Sequence, residues 1–253
     1  MERVNLLISD LDGTLLGDDA SLELFAMWYA NARKHYRLVY SSGRFVESVL
    51  ESIESSLLPE PDAIIGGVGT QIYDVAQHRK FSMWPPLVIE WNPYIVQSIG
   101  EHYAELKLQP SEYNSHYKVS FYGSDLDESF LRHLEERMAS EGLRTSMIYS
   151  SKRDLDLVPE GSNKGAAALY LARHWRIAPD QTLVAGDSAN DADMFHVGFR
   201  GIVVGNAAQE LKMLASPTNY LAESCYAAGV LEGICHWQTN RMDTSRERIG
   251  IWN

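Results

Sequence analysis

Two acids one residue apart, in Asp10-Leu11-Asp12-Gly13-Thr14, follow a short apolar run, Asn5-Leu6-Leu7-Ile8-Ser9, that reads as a buried strand. Three further stretches carry polar cargo of the same kind. Ser41-Ser42-Gly43-Arg44 follows the apolar run 38–40. Lys164 opens a helix in Asn163-Lys164-Gly165. Gly186-Asp187-Ser188-Ala189-Asn190-Asp191 follows the run 182–185. Alone, an Asp-x-Asp is an ordinary turn. Here four such stretches occur in one chain, and parallel strands deliver their C-terminal loops to one sheet edge, where ligands bind in open α/β folds. Carboxylates gathered there repel one another, and the usual remedy is a hard divalent cation with oxygen ligands. Mg²⁺ fits, since it takes one or two carboxylates plus a substrate phosphate. A lysine and a hydroxyl can then hold and neutralise that phosphate. The parts add up to phosphoryl transfer by positioning and charge neutralisation.

Magnitude argues for a covalent route. Phosphate monoester hydrolysis can need acceleration of up to ~10²¹-fold, and a general acid supplies typically ~10²–10⁴. A carboxylate nucleophile divides the barrier into two steps. Asp10 suits the nucleophile. Asp12, just beyond the strand, suits the acid that protonates the leaving oxygen and later activates water.

The elements that must position these groups follow from periodicity. Leu22, Phe25, Trp28, Tyr29 and Ala32 recur at helical spacing, with Asp18 and Asp19 as charges at the helix start. Residues 38–40 and 63–65 read as strands, with an amphipathic helix between them on Phe45, Val46, Val49, Leu50 and Ile53. This β-α-β-α-β opening predicts a parallel sheet with right-handed crossovers. The pattern changes near residue 83. Residues 91–104 and 126–138 read as helices; 117–122, 146–149 and 155–158 read as strands, so the middle is a small α+β insert. An Ala-rich helix from Lys164 to about His174 follows, then strands at 182–185 and 202–204. Helices at 208–214 and 224–236 come next, and a polar, frayed tail is expected from Gln238. The expected fold class is α/β: a doubly wound, mostly parallel sheet core (1–82 and 159–253) with an inserted α+β cap domain (83–158).

Bulk properties narrow the function. A formal charge of −12 argues against non-specific nucleic-acid binding. No apolar run approaches membrane-spanning length, and Asp10 and Asp12 interrupt the first apolar run too early for a leader. Cys225 and Cys235 form no metal or redox spacing. The expectation is a cytoplasmic protein, a monomer or weak homo-oligomer, whose partner is a small molecule rather than nucleic acid or membrane.

The four stretches together resemble the four motifs of the haloacid dehalogenase-like phosphohydrolases, in the right order. The insert between the second and third motifs resembles that superfamily's larger α+β cap. Within one branch the likeness extends to Leu108-Gln109-Pro110, residues 116–122, Ile148-Tyr149-Ser150, residues 154–159 and Asn163-Lys164-Gly165, which are similar to the sucrose-6-phosphate phosphatase-like family. That family also holds mannosylfructose-phosphate and glucosylglycerol-phosphate phosphatases. Residues 64–70 lean toward the mannosylfructose type and the Lys118 strand toward the sucrose type.

The resemblance implies a Mg²⁺-dependent phosphatase of a phosphorylated disaccharide, most of all sucrose 6-phosphate, with roles for individual residues. Asp10 becomes aspartyl-phosphate and Asp12 is the acid/base. Ser42 hydrogen-bonds the transferring phosphoryl group and Lys164 neutralises it. Asp187 holds Mg²⁺ with an Asp10 oxygen and the Asp12 carbonyl, while Asp191 binds or orients through the metal's waters or Lys164. Ser188 and Asn190 support them. Gly43, Arg44, Lys118 and Asn190 join Ser42 and Lys164 as substrate-binding candidates.

Blander readings stand beside these. Arg44 either contacts substrate or forms a salt bridge, and Lys118 either contacts sugar or snorkels. Asp154 and Asp156, alternating with leucines, read as hinge or surface. A non-catalytic sugar-phosphate-binding module and a phosphomutase are the functional rivals.

Overall fold

Strands form where short β-branched or leucine runs end on small polar residues, and helices where apolar residues recur every three to four positions. The computed structural model describes residues 5–249, with side chains through residue 239. Twelve strands are present among the described residues. They are β1 (Asn5–Ser9), β2 (Tyr36–Ser41), β3 (Ala63–Gly66), β4 (Gln71–Asp74), β5 (Arg79–Lys80) and β6 (Lys107–Leu108), then β7 (Val119–Tyr122), β8 (Thr145–Ser150), β9 (Asp154–Pro159), β10 (Thr182–Gly186), β11 (Arg200–Val203) and β12 (Asn219–Leu221). Eight make one sheet in the order β12-β11-β10-β1-β2-β3-β4-β5, and four make a second in the order β6-β7-β9-β8. In the large sheet the six strands from β12 to β3 run parallel; β4 pairs antiparallel with β3, and β5 antiparallel with β4. Both sheets are flanked by helices: α1 (Asp19–Ala32), α2 (Val46–Ser55), α3 (Pro93–Gly100), α4 (Glu128–Ser140), α5 (Lys164–His174), α6 (Ala192–His196), α7 (Gln209–Lys212) and α8 (Tyr226–Ile249). The class is the α/β fold expected.

Each sheet has its own apolar core. Leu6, Leu7 and Ile8 of the central strand β1 are fully buried among Phe25, Tyr40 and Val184. Phe121, Leu155 and Leu157 pack under Val96 and Leu134 in the second cluster. Val68, in the turn after β3, packs with Ile148 of β8 and Val158 of β9, so the small sheet touches the large one through an apolar contact. Asp18 caps α1 by accepting the Ser21 N–H at 2.9 Å, as its place before an apolar stripe requires.

The structure departs from expectation where elements are short or lack punctuation. β5, β6 and β12 hold two or three residues each, too few to show a two-residue period. The helix expected over 91–104 runs only Pro93–Gly100. The last helix, expected over 224–236, continues as α8 to Ile249, so the backbone is helical where a frayed tail was expected from Gln238. The reason is compositional: no Gly or Pro lies between Gly233 and Gly250 to stop it. No helix among the described residues is long and apolar enough to cross a membrane.

Glu232 of α8 fastens the edge strand. Its carboxylate accepts the Tyr220 hydroxyl at 2.8 Å and the Glu223 and Ser224 N–H groups at 2.9 Å each. Burial alone would raise its pKa. The Ser224, Glu223 and Tyr220 donors outweigh that and hold it at about 2, below the ordinary 4.5. A depressed carboxylate pKa stabilises the fold above its unfolded value and stops doing so as pH falls through the folded one. Glu232→Ala is therefore expected to cost about 1–2 kcal/mol at pH 7, a figure discounted for partial solvent exposure. In urea titrations across pH, the gap to wild type should be full above about 4.5 and close toward about 2; a gap that widens in acid would contradict this role.

Candidate active site

The chain leaves β1 at Asp10, whose N–H still bonds the Ala185 carbonyl of the neighbouring β10 at 3.0 Å. Leu11 is buried, and its carbonyl accepts the N–H groups of Thr14, Leu15 and Leu16, which closes a tight turn. Buried Leu11 therefore sits between two acids of different fate: Asp10 is 4% exposed, whereas the Asp12 side chain is 60% exposed. Asp12 Oδ2 lies 2.9 Å from Arg44 Nε, so Arg44 does make the salt bridge weighed for it. Ser42, buried at the end of β2, accepts the Arg44 backbone N–H on Oγ at 3.1 Å.

Lys164 begins α5, and Asn163 caps that helix by accepting the Ala166 N–H at 2.8 Å. Its side chain is fully buried. Nζ donates to Asp191 Oδ1 at 2.7 Å, Asp10 Oδ1 at 2.8 Å and Asn190 Oδ1 at 2.9 Å, which uses all three ammonium hydrogens. Asp191 Oδ2 turns back to accept the Asp187 and Ser188 N–H groups at 3.0 and 3.2 Å, fixing the loop after β10. Asp187 faces the first loop, where the Thr14 hydroxyl lies 3.4 Å from its Oδ1.

Asp10, Asp187 and Asp191 can each offer a carboxylate oxygen, and these oxygens lie within 4.8 Å of one another. Against them stands one lysine, which leaves two negative charges uncompensated. The titration behaviour follows. Burial, then Asp191 and Asp187, raise the Asp10 pKa well above the carboxylate range, although Lys164 pulls it down. Burial and Asp191 push Asp187 up to about 7. Burial opposes the Lys164 charge, but Asp10 and Asp191 outweigh it and hold its pKa above the ordinary value. An all-oxygen donor set with two surplus charges fits a hard divalent cation such as Mg²⁺. The Asp12 carboxylate, turned to Arg44, is not in this cluster.

Above the cluster lies a cleft of about 270 Å³. Asp10, Asp12, Gly43, Arg44, Ser188 and Asn190 line its floor; Gln109, Tyr113, Tyr122, Arg153, Asp154 and Asp156 line its roof. Gln109 Nε2 and Arg153 Nη2 each donate to Asp154 at 3.0 Å, and the Arg153 guanidinium lies over the Tyr122 ring. Lys118 does not line the cleft. It is 4% exposed, pairs with Asp156 at 3.1 Å and lies 5.3 Å from the centre of the Phe45 ring of the large-sheet side. Asp154 and Asp156, read from sequence as hinge or surface, stand on the cleft instead. The signal was present: the alternation that sends Leu155 and Leu157 into the core sends the two acids to the other face.

A family profile described as sucrose-6F-phosphate phosphohydrolase matches residues 3–238. The chain belongs to that family. Among relatives of this phosphohydrolase is the mannosylfructose-phosphate phosphatase of Agrobacterium fabrum, 34% identical over 95% of this chain and 99% of that one. Sucrose-phosphatase 1 of Nicotiana tabacum is 32% identical over 96% of this chain, which spans only 61% of that protein's length. The solved sucrose-phosphatase of Synechocystis sp. PCC6803, in complex with sucrose and phosphate, is 34% identical with a TM-score of 0.88, over 93% of this chain and 98% of that one. Haloacid dehalogenase-like hydrolases of known structure share the fold. The phosphohydrolase is thus a phosphoric monoester hydrolase, in coarse terms a sugar-phosphate phosphatase.

Removing the buried ammonium would leave buried acids unbalanced, which costs about 3–5 kcal/mol in comparable pairs. Lys164→Met is expected to destabilise the metal-free phosphohydrolase by that amount in chemical denaturation. An unchanged midpoint would show that the cluster does not depend on the lysine charge.

Proposed function

We propose that this enzyme hydrolyses a phosphorylated disaccharide, sucrose 6-phosphate foremost, with Mg²⁺ and through an aspartyl-phosphate. The cleft carries the reading. Its floor has the chemistry to bind and transfer a phosphoryl group, and its roof offers hydrogen-bonding side chains beside aromatic faces, as a sugar needs. The Synechocystis relative, solved with sucrose and phosphate, supports this substrate. The Agrobacterium relative supports a second reading with the same chemistry, mannosylfructose phosphate.

In this reading an Asp10 oxygen attacks phosphorus as the bond to the sugar oxygen breaks, and Asp12 delivers the proton that oxygen needs. Asp12 then takes a proton from the water that cleaves the aspartyl-phosphate. Lys164 works against the burial that favours protonated Asp10 and neutralises the phosphoryl group. Ser42 hydrogen-bonds that group, with Gly43, Arg44 and Asn190 beside it. Asp10, Asp187 and Asp191 would hold Mg²⁺, with the Asp12 carbonyl beside them, and the ion would offset charge on the phosphoryl oxygens. Residues 83–158 act as a cap over the core made by 1–82 and 159–253, and its closure excludes bulk water during the first step. Lys118 serves the sugar indirectly, by fixing Asp156.

Two measurements test the reading. Asp10→Asn should keep the wild-type circular dichroism spectrum and lose about a thousandfold or more in kcat; near-normal turnover would remove the covalent route. Against a panel of sugar phosphates, kcat/KM should be highest for sucrose 6-phosphate, with mannosylfructose 6-phosphate next. Equal turnover of simple monosaccharide phosphates would defeat the disaccharide assignment.

A further inference from the structure

We propose that Asn206 is a positioning residue whose amide clamps the loop carrying Asp12 to the start of α8. The inference rests on the phosphatase reading above. Asn206 lies in the loop after β11, outside the carboxylate cluster. Its side chain joins two segments far apart in sequence. Nδ2 donates to the Gly13 carbonyl at 2.7 Å, and Oδ1 accepts the Tyr226 backbone N–H at 2.8 Å. One partner is an acceptor and the other a donor, so the amide has a single orientation that satisfies both.

Tyr226 adds a second hold. Its φ of 53° is uncommon for a bulky residue, so its backbone needs outside support, and the Asn206 acceptor supplies it. The Tyr226 ring lies against Gly17, whose φ is 136°, and a β-carbon there would fall 2.3 Å from ring Cε1. The loop is therefore gripped at both ends, at Gly13 by Asn206 and at Gly17 by Tyr226.

Gly13 is where the grip reaches the chemistry. At φ 86° its backbone passes so close to Asp187 that a β-carbon would lie 2.4 Å from Oδ2. Its chain neighbours are Asp12 on one side and, on the other, Thr14, whose hydroxyl faces Asp187. A small shift of Gly13 therefore moves the Asp12 backbone and changes the space left to the Asp187 carboxylate. Asn206 acts on both acids through this one carbonyl without touching the reacting atoms.

Asn206→Asp separates positioning from plain stability. It keeps an oxygen for the Tyr226 N–H and removes the donor to Gly13. Mg²⁺ binding to the metal-free protein is read by calorimetry, and kcat and KM are read separately at saturating Mg²⁺. Mg²⁺ affinity and kcat should each fall about tenfold or more, with KM for the sugar phosphate within about twofold of wild type, the scale seen when groups supporting a metal ligand are removed. A folded variant with wild-type Mg²⁺ affinity and kcat, changed only in its melting temperature, would overturn the proposal. Should that variant not fold, Gly17→Ala reaches the same loop from its other end; it should also weaken Mg²⁺ binding, and unchanged affinity there would overturn the proposal as well. If wild type binds Mg²⁺ but releases no phosphate from any sugar phosphate, the functional reading fails, while the calorimetric comparison still decides the clamp.

Discussion

A fully buried ammonium is the constraint on which this structure depends. Lys164 has no contact with solvent, and an unpaired charge in that position would cost several kcal/mol. Its hydrogen-bond partners come from the end of β1 and the loop after β10, adjacent strands in the parallel part of the sheet. The strand order and the lysine therefore require each other. The sheet brings the acids to one edge, and the lysine at the head of α5 lets them stay there together. Such a cluster is poor economy for stability alone, since apolar residues of similar volume would serve as well or better. Its placement at the strand ends, under a cleft, is what a charge-handling site needs.

The floor of that site was legible in the sequence because each of its residues stands at a boundary between elements. Asp10, Ser42 and Asp187 end or follow strands, and Lys164 starts a helix; a change of periodicity marks such points even in one sequence. The roof was less legible for a physical reason. Gln109 follows a two-residue strand, and Asp154 and Asp156 look like any exposed face of an antiparallel strand until the partner surface is known. Lys118 shows the same limit from the other direction. Read as contacting sugar or snorkelling, it is instead buried beside Asp156 and Phe45, and only the tertiary structure brings that group together. The β4–β5 hairpin and β12 escaped notice because they are sheet edges, held by neighbours rather than by their own pattern.

This division of legibility matches a division of labour. In the proposed reading the floor takes the phosphoryl group, whose chemistry does not depend on the sugar attached. In that reading the roof meets the sugar, and its hydrogen bonds run through side chains that lie outside both apolar cores. Overall likeness does not select the sugar: two relatives named for different disaccharides are both 34% identical to this chain. The proposed reading puts the choice in a few roof contacts, where Gln109, Arg153 and Asp154 are tied into one hydrogen-bonded group.

The two acids of the first loop show how environment divides identical side chains between tasks. Asp10 is buried, bonded to Lys164 and crowded by two other carboxylates. Asp12, two positions on, faces the cleft and pairs with a half-buried arginine. In the proposed mechanism the nucleophile must stay close to a fixed phosphorus and be shielded from water, and the burial of Asp10 beside the lysine suits that task. The proposed acid and base must exchange protons with a leaving group and then with water, and the exposure of Asp12 suits that task. Leu11 makes the difference: buried between them, it turns the chain so that one acid points into the cluster and the next stands at its mouth. Opposed environments for paired carboxylates are how one site carries two roles, and here the opposition is set by the backbone turn rather than by the acids themselves.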